Sequence, residues 1–237
     1  MNPPLLTRGA SSPKLSKRGA GYESVILHLA SGRRVCPWAT EGCLTGCLVS
    51  AGRGAMSVVQ AARQRRTDAF FSNRGTFLAD LYRELGLLDR RAKRKGFLPV
   101  ARLNGTSDIP WETLRLKGID LSLIEAYPDV QFYDYTKSYK RAKAFVAGDM
   151  PANYHLTLSR TEQFEDGFVG ALCSTGMSVA VVFDTPKGQP LPSEFEGVKV
   201  IDGRLDDWRF EDPRGVVVGL SALGKARNDM SGFVVRA

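Results

Sequence analysis

Short apolar runs rich in β-branched residues recur along the chain at 25–29 (VILHL), 98–103 (LPVARL), 130–135 (VQFYDY), 154–158 (YHLTL), 179–183 (VAVVF), 198–201 (VKVI) and 216–220 (VVVGL). Each has the length and composition of a buried strand. Between them lie stretches with helical spacing at 56–70, 75–95, 122–127, 138–146 and 162–173. In 75–95, Phe77, Leu78, Leu81, Leu85 and Leu88 form one apolar stripe, and the segment ends in a basic run, Arg90, Arg91, Lys93, Arg94 and Lys95. Cations at a helix C-terminus meet the negative end of its dipole, so the run is read as a cap in preference to a nucleic-acid patch.

Strand and helix alternating with short connections predict a parallel sheet, because parallel neighbours need a crossover. With 237 residues, the chain falls short of the roughly 250 typical of a closed eight-fold barrel. The fold class expected is α/β, a partial, open parallel βα barrel, with a doubly wound open sheet as the alternative. A last piece at 232–236 reads as an antiparallel addition. Residues 1–21 are rich in Pro, Ser, Gly, Lys and Arg without periodicity, and read as a flexible basic N-terminal arm ahead of a single α/β domain over 22–237.

Charge adds one thing to this picture. The chain is +8 overall, with 33 Lys and Arg against 25 Asp and Glu, and residues 1–100 hold 17 of the basic and 6 of the acidic side chains. The excess of +11 in that part makes nucleic acid a candidate partner there. No apolar run is long enough for a membrane span and no signal-like leader is present, so a cytoplasmic location without membrane association is expected.

Cysteine usage is the sharpest chemical signal. Cys36, Cys43 and Cys47, three of the four cysteines, fall in VCPWATEGCLTGC with six and then three residues between them. In a reducing compartment such a cluster points to a shared metal before a disulfide. Zinc would need a fourth ligand, for which Cys173, His28, His155 or nearby acids are the candidates. Cys173 precedes the 179–183 strand and so belongs to the opposite end of a parallel barrel, where it reads as a structural thiol. Three ligands with an open position point to a 4Fe-4S cluster whose fourth iron is free for an unidentified small molecule; three unliganded thiols are the remaining reading.

Polar residues follow the strands: Asn104-Gly105-Thr106-Ser107-Asp108, Asp134-Tyr135-Thr136-Lys137, Ser159-Arg160, Asp184 and Asp202-Gly203-Arg204. Any one of them suits a turn or N-cap, but the set predicts a pocket at the barrel mouth built from Asn104, Asp108, Asp134, Lys137, Arg160 and Asp202.

The VCPWATEGCLTGC loop, followed by RLNGTSDIPWE, FYDYTK, NYHLTLS, VAVVF, VIDG and DPRGVVVGL, resembles the phage gene product 88 family from about residue 22 onward. That resemblance implies expression inside a bacterial host cell. A first strand, a three-cysteine loop, a helix and then βα units is also the order of radical SAM enzymes, a more distant similarity. It implies that Cys36, Cys43 and Cys47 hold a 4Fe-4S cluster and that S-adenosylmethionine (SAM) is a candidate ligand of the fourth iron. The cysteine spacing here is wider than in those enzymes, and Asn104-Gly105-Thr106 stands where they carry Gly-Gly-Glu. Two functions from different classes follow: an iron-sulfur protein with redox or radical SAM-like chemistry, or a nucleic-acid-binding or host-interaction protein with a purely structural metal site.

Overall fold

The computed structural model describes residues 3–9, 21–186 and 188–236. Ten strands form one sheet: β1 (Leu6–Arg8), β2 (Tyr22–Leu27), β3 (Leu98–Arg102), β4 (Gln131–Thr136), β5 (Tyr154–Ser159), β6 (Val179–Phe183), β7 (Glu194–Phe195), β8 (Val198–Asp202), β9 (Val217–Ser221) and β10 (Val234–Val235). Their order is β1-β2-β3-β4-β5-β6-β9-β8-β7, with β10 beside β6. β1 with β2 and β7 with β8 are antiparallel, and the other pairs are parallel. The architecture is therefore α/β with an open, mixed, mostly parallel sheet.

Six α-helices are described: α1 (Glu41–Thr45), α2 (Ser57–Ser72), α3 (Arg74–Lys95), α4 (Leu123–Ala126), α5 (Tyr139–Ala147) and α6 (Phe168–Ser174). Their starts follow local chemistry. Asn73 Oδ1 accepts from Thr76 N–H at α3, and Ser122 and Glu125 form a reciprocal capping box at α4. α3 stops at Gly96, whose φ of 65° suits glycine alone without strain. The basic run at its end is engaged by acids: Lys93 pairs with Asp89 and Asp129, and Arg91 and Lys95 with Glu23.

Register shows where the helices sit. Val25 faces Ala101, Ala101 faces Phe132, Phe132 faces Tyr154, Leu158 faces Val179 and Val179 faces Val217, and parallel partners point to the same side of a sheet. These residues belong to two buried clusters that also contain Phe70 of α2, the Phe77–Leu88 stripe of α3, Leu123 and Ile124 of α4, Ala142 of α5, and Val169 and Leu172 of α6. α2 to α6 thus pack on one face. A doubly wound sheet would carry helices on both faces, which corrects that alternative. The other face holds Ile26, Val100 and Tyr133 under Trp208 and Phe210, with Arg102 paired to Asp207.

Three expectations change. Leu6–Arg8, expected to lie in an unstructured arm, instead forms an edge strand, because Glu84 of α3 accepts from the N–H groups of Leu5 and Leu6; residues 10–20 of that arm lie outside the described residues. β10 runs parallel to β6 where an antiparallel piece was expected. β5 pairs with β6 only at Leu158–Val179 and Ser159–Ala180, which leaves the rest of that edge open, and Asp229 turns the chain into it by accepting from Ser231 Oγ and Val234 N–H. The helix expected over 162–173 begins only at Phe168, after Gly167 at φ 79°.

His155 on β5 gives a pH prediction. Burial, with the charges of Arg214 and Arg209, pushes its pKa down to about 4, below the ~6.5 of an unfolded chain. The unfolded state then binds the extra proton between those values, so stability is full above about pH 6.5 and falls as the pH drops towards 4. In denaturant titrations at neutral pH and at about pH 4.5, the parent is expected to lose on the order of 2 kcal/mol more than His155→Gln. Equal losses would contradict this origin.

Candidate metal centre

The three cysteines follow β2, at the C-terminal end of the parallel strands. Gly32, at φ 145°, turns the chain so that its carbonyl accepts from Val35 and Cys36 N–H at 3.0 and 2.9 Å. Asp108 N–H donates to Val35 O at 2.8 Å, and Thr106 Oγ1 donates to Leu29 O at 2.6 Å, so the loop after β3 grips the one after β2. Cys36 Sγ lies 4.0 Å from Thr106 O within this clamp.

Cys43 sits in α1, a helix whose start is made by a residue far away in sequence. Glu162 accepts from Gly42 N–H at 2.8 Å and from Thr40 Oγ1 at 2.6 Å. Cys47 follows Gly46, the residue that ends α1, and opens the short 3-10 turn Leu48–Ser50. The C-terminal segment packs against this helix so closely that a Cβ at Gly42 would meet Ser231 Oγ and, at 2.7 Å, Phe233 Cβ. Gly42→Ala is therefore expected to cost about 1–3 kcal/mol in chemical denaturation, because the contact with Phe233 Cβ cannot be relieved without shifting the C-terminal segment or α1. An unchanged midpoint would mean that the segment yields freely.

The three thiols are partly buried and lie within electrostatic reach of one another. Burial pushes the Cys36 thiol up to about 12, with Asp108, Cys47 and Cys43 adding their charge. Burial raises Cys43 too, against the pull of Lys137, which also hydrogen-bonds it. Arg63 of α2 lies within electrostatic reach of Cys47. Without a metal, Cys36 is held as the neutral thiol; binding a cation there must release its proton.

Among the described residues, no three His, Cys, Asp or Glu side chains are placed to hold a single metal ion. In a 4Fe-4S cluster each thiolate binds a different iron, so its cysteines need not converge as the ligands of one ion do. The all-sulfur donor set and the adjacent Lys137 and Arg63 cations suit such a negatively charged group. Cys173 belongs to α6, which turns its side chain into the core, and its carbonyl lies against Gly215, just ahead of β9.

The six pocket residues fare differently. Asn104 and Asp134 are fully buried: Asn104 N–H and Nδ2 donate to Asp134 at 2.7 and 3.1 Å, and Asn104 Oδ1 accepts from Ser107, Ile109 and Trp111. Asp134 shares register with Leu156 and so faces the helix side of the sheet. Burial raises its pKa to about 7, and Tyr154 OH donates to it at 2.9 Å. Asp108 accepts from Lys137 N–H at 2.8 Å and from Arg141 Nη1 at 2.7 Å. These three build the loop beneath the site. Lys137 stands at the thiols, its Nζ 5.1 Å from the Phe233 ring. Arg160 donates to Gly232 O at 2.8 Å and lies near Glu162. Asp202 pairs with Arg204 at 2.8 Å.

Sequence reasoning passed over Glu162, Arg63 and Arg141. Glu162 is invisible locally, because its partners lie about 120 residues away. Arg63 did have a signal: Gln60, Arg63 and Thr67 form a polar row at helical spacing on α2, the row that meets the loops.

An open, mostly parallel α/β sheet with a thiol-bearing loop at its C-terminal strand ends defines the class of the molecule. The model of the gene product 88 family matches residues 4–237, and the chain belongs to that phage family. The match begins ahead of the expected residue 22 and so takes in β1. No curated protein and no solved structure matches the chain significantly. Among the described residues no helix is long and apolar enough to cross a membrane.

Proposed function

We propose that this is an iron-sulfur protein in which Cys36, Cys43 and Cys47 hold a 4Fe-4S cluster with one iron open to a small molecule, inside the bacterial host cell. The observation that carries this reading is the trio of partly buried thiols that feel one another's charge beside Lys137 and Arg63. The helices on one face of an open parallel sheet support its description as a partial βα barrel, with the cluster at the mouth. When bound, the group supplies one-electron redox chemistry. The chain's own part is to fix the thiols through Gly32, Thr106 and Glu162, to set a cation against Cys43 through Lys137, and to hold Lys137 by its backbone N–H on Asp108. Radical chemistry on SAM is the finer reading.

Anaerobic purification followed by iron and acid-labile sulfide analysis tests the proposal, with about four of each per chain expected. Zinc, or neither element, would overturn it. Incubation with SAM and dithionite decides the finer reading: release of 5′-deoxyadenosine supports it, and its absence leaves electron transfer. Under the nucleic-acid alternative, affinity for DNA or RNA falls steeply with salt, although Arg91, Lys93 and Lys95 of the basic run are already engaged by acids.

A further inference from the structure

The last stretch of the chain, residues 222–236, has a small core of its own. Ala222, Ala226 and Val234 are buried together with Val182 and Phe233, apart from the two large clusters on the helix side of the sheet. Val235 is the point where the segment meets the larger cluster that holds Val169 and Leu172 of α6. Its strand β10 is two residues long and pairs at two positions, Val234 with Val182 and Val235 with Phe183. Most of its other residues face water, Met230 at 90% exposure.

What this segment covers is the stretch that carries Cys43 and Cys47. Gly42, Gly46 and Ser50 each touch it: Ser231 and Phe233 stand against Gly42, a Cβ on Gly46 would come within 3.1 Å of Ala226 Cβ, and Ser50 Oγ accepts from Lys225 N–H at 3.2 Å. The three points bracket both cysteines. Ser50 Oγ also donates to Cys47 O at 2.9 Å, and Lys137, which hydrogen-bonds Cys43, holds its Nζ 5.1 Å from the Phe233 ring. Cys36 is held elsewhere, by Gly32 and the loop after β3. One buried side chain fixes the shape of the segment: Asp229 accepts from Ser231 Oγ at 2.7 Å and from Val234 N–H at 3.0 Å. Its own carbonyl accepts from Arg236 Nη2 at 2.7 Å. A unit with few buried apolar contacts and most of its backbone near water opens at a lower free energy than the core it lies on.

We propose that residues 222–236 form a strap over α1 that opens as a local unit, with Asp229 as its latch, and that this opening admits iron and sulfide to Cys43 and Cys47. The strap stands on the contacts above, whereas the entry of iron rests on the function already proposed. Opening releases Gly42, Gly46 and Ser50 together, and Cys36 stays in its own clamp.

Hydrogen exchange of the full-length, metal-free protein, followed by mass spectrometry of its peptides, tests the strap. Residues 222–236 and 41–50 should exchange well ahead of β3 and β4, at rates that low denaturant leaves unchanged. Asp229→Ala should speed both segments by about tenfold or more, Asp229→Asn, which keeps an acceptor oxygen, by less, and neither should alter β3 or β4. If Asp229→Ala does not fold, Asp229→Asn and Arg236→Met carry the comparison. Exchange of 222–236 in step with β3 and β4, or a variant effect that stops short of 41–50, overturns the strap. For the entry, loaded protein is mixed with a ferrous chelator and dithionite, and iron loss from the variant should quicken by the same factor as its exchange. Iron loss at the parent's rate overturns the entry. A chain that takes up no iron overturns the proposed function and the entry with it, while the exchange result decides the strap by itself.

Discussion

Replacing Cys43 by serine is expected to empty the protein of iron, from about four atoms per chain to well under one, and to abolish visible absorption. Cys43 is the middle ligand of the proposed trio and the one carried by a helix, so its position is the least adjustable. Gly42 N–H is fixed by Glu162 at 2.8 Å, and Phe233 and Ala226 close over Gly42 and Gly46. A serine oxygen is a poor substitute for a thiolate towards iron. Because a bound metal stabilises only the folded state, the variant should also unfold at a lower temperature than the loaded parent. Cys173→Ser is the matched control: that thiol is buried with Val169, Leu172 and Val179, and its loss should leave the iron and colour intact. Loss of colour in both variants would mean that Cys173 reaches the centre.

The second large effect is expected from Arg141, and it is one of stability. Its guanidinium donates to Asp108 at 2.7 Å, to both oxygens of Glu112 at 2.7 and 2.8 Å, to Thr136 at 3.1 Å and to Tyr154 OH at 3.0 Å. Arg141, Asp108 and Glu112 have side chains less than a tenth exposed. Arg141→Ala would strand two buried carboxylates, an arrangement that costs about 3–5 kcal/mol. Arg141→Lys should recover little of this, because one ammonium cannot reproduce the fork on Glu112. Denaturant unfolding reads the loss directly, and a change below about 1 kcal/mol would show that water replaces the guanidinium. Iron content should fall with it, since Asp108 holds the Lys137 backbone beside Cys43.

How much of this could be read from the chain depended on whether a feature was local. The apolar runs that became β2 to β6, β8 and β9 were legible because each is a short buried strand, and the Phe77–Leu88 stripe marked α3. The shortest strands were not: Leu6–Arg8 is held by Glu84, and Val234–Val235 by an edge that β5 leaves free, so neither carries its own signal. α1 reads as loop because Glu162 starts it from across the fold. The thiol trio was visible as spacing, but the acids after the strands were harder. Asp134 alternates with Phe132 and Thr136 on the helix side of β4, so its side chain enters a buried network instead of an open mouth. Lys137, just past the strand end, is the member of that set which meets the thiols.

The most direct test of the proposed centre is a Mössbauer spectrum of the anaerobic protein loaded with iron-57. A cluster held by Cys36, Cys43 and Cys47 predicts three irons of one kind and a fourth distinguishable from them. Four equivalent sites would mean a fourth protein ligand and no open iron. A spectrum of adventitious ferric iron would contradict the account outright.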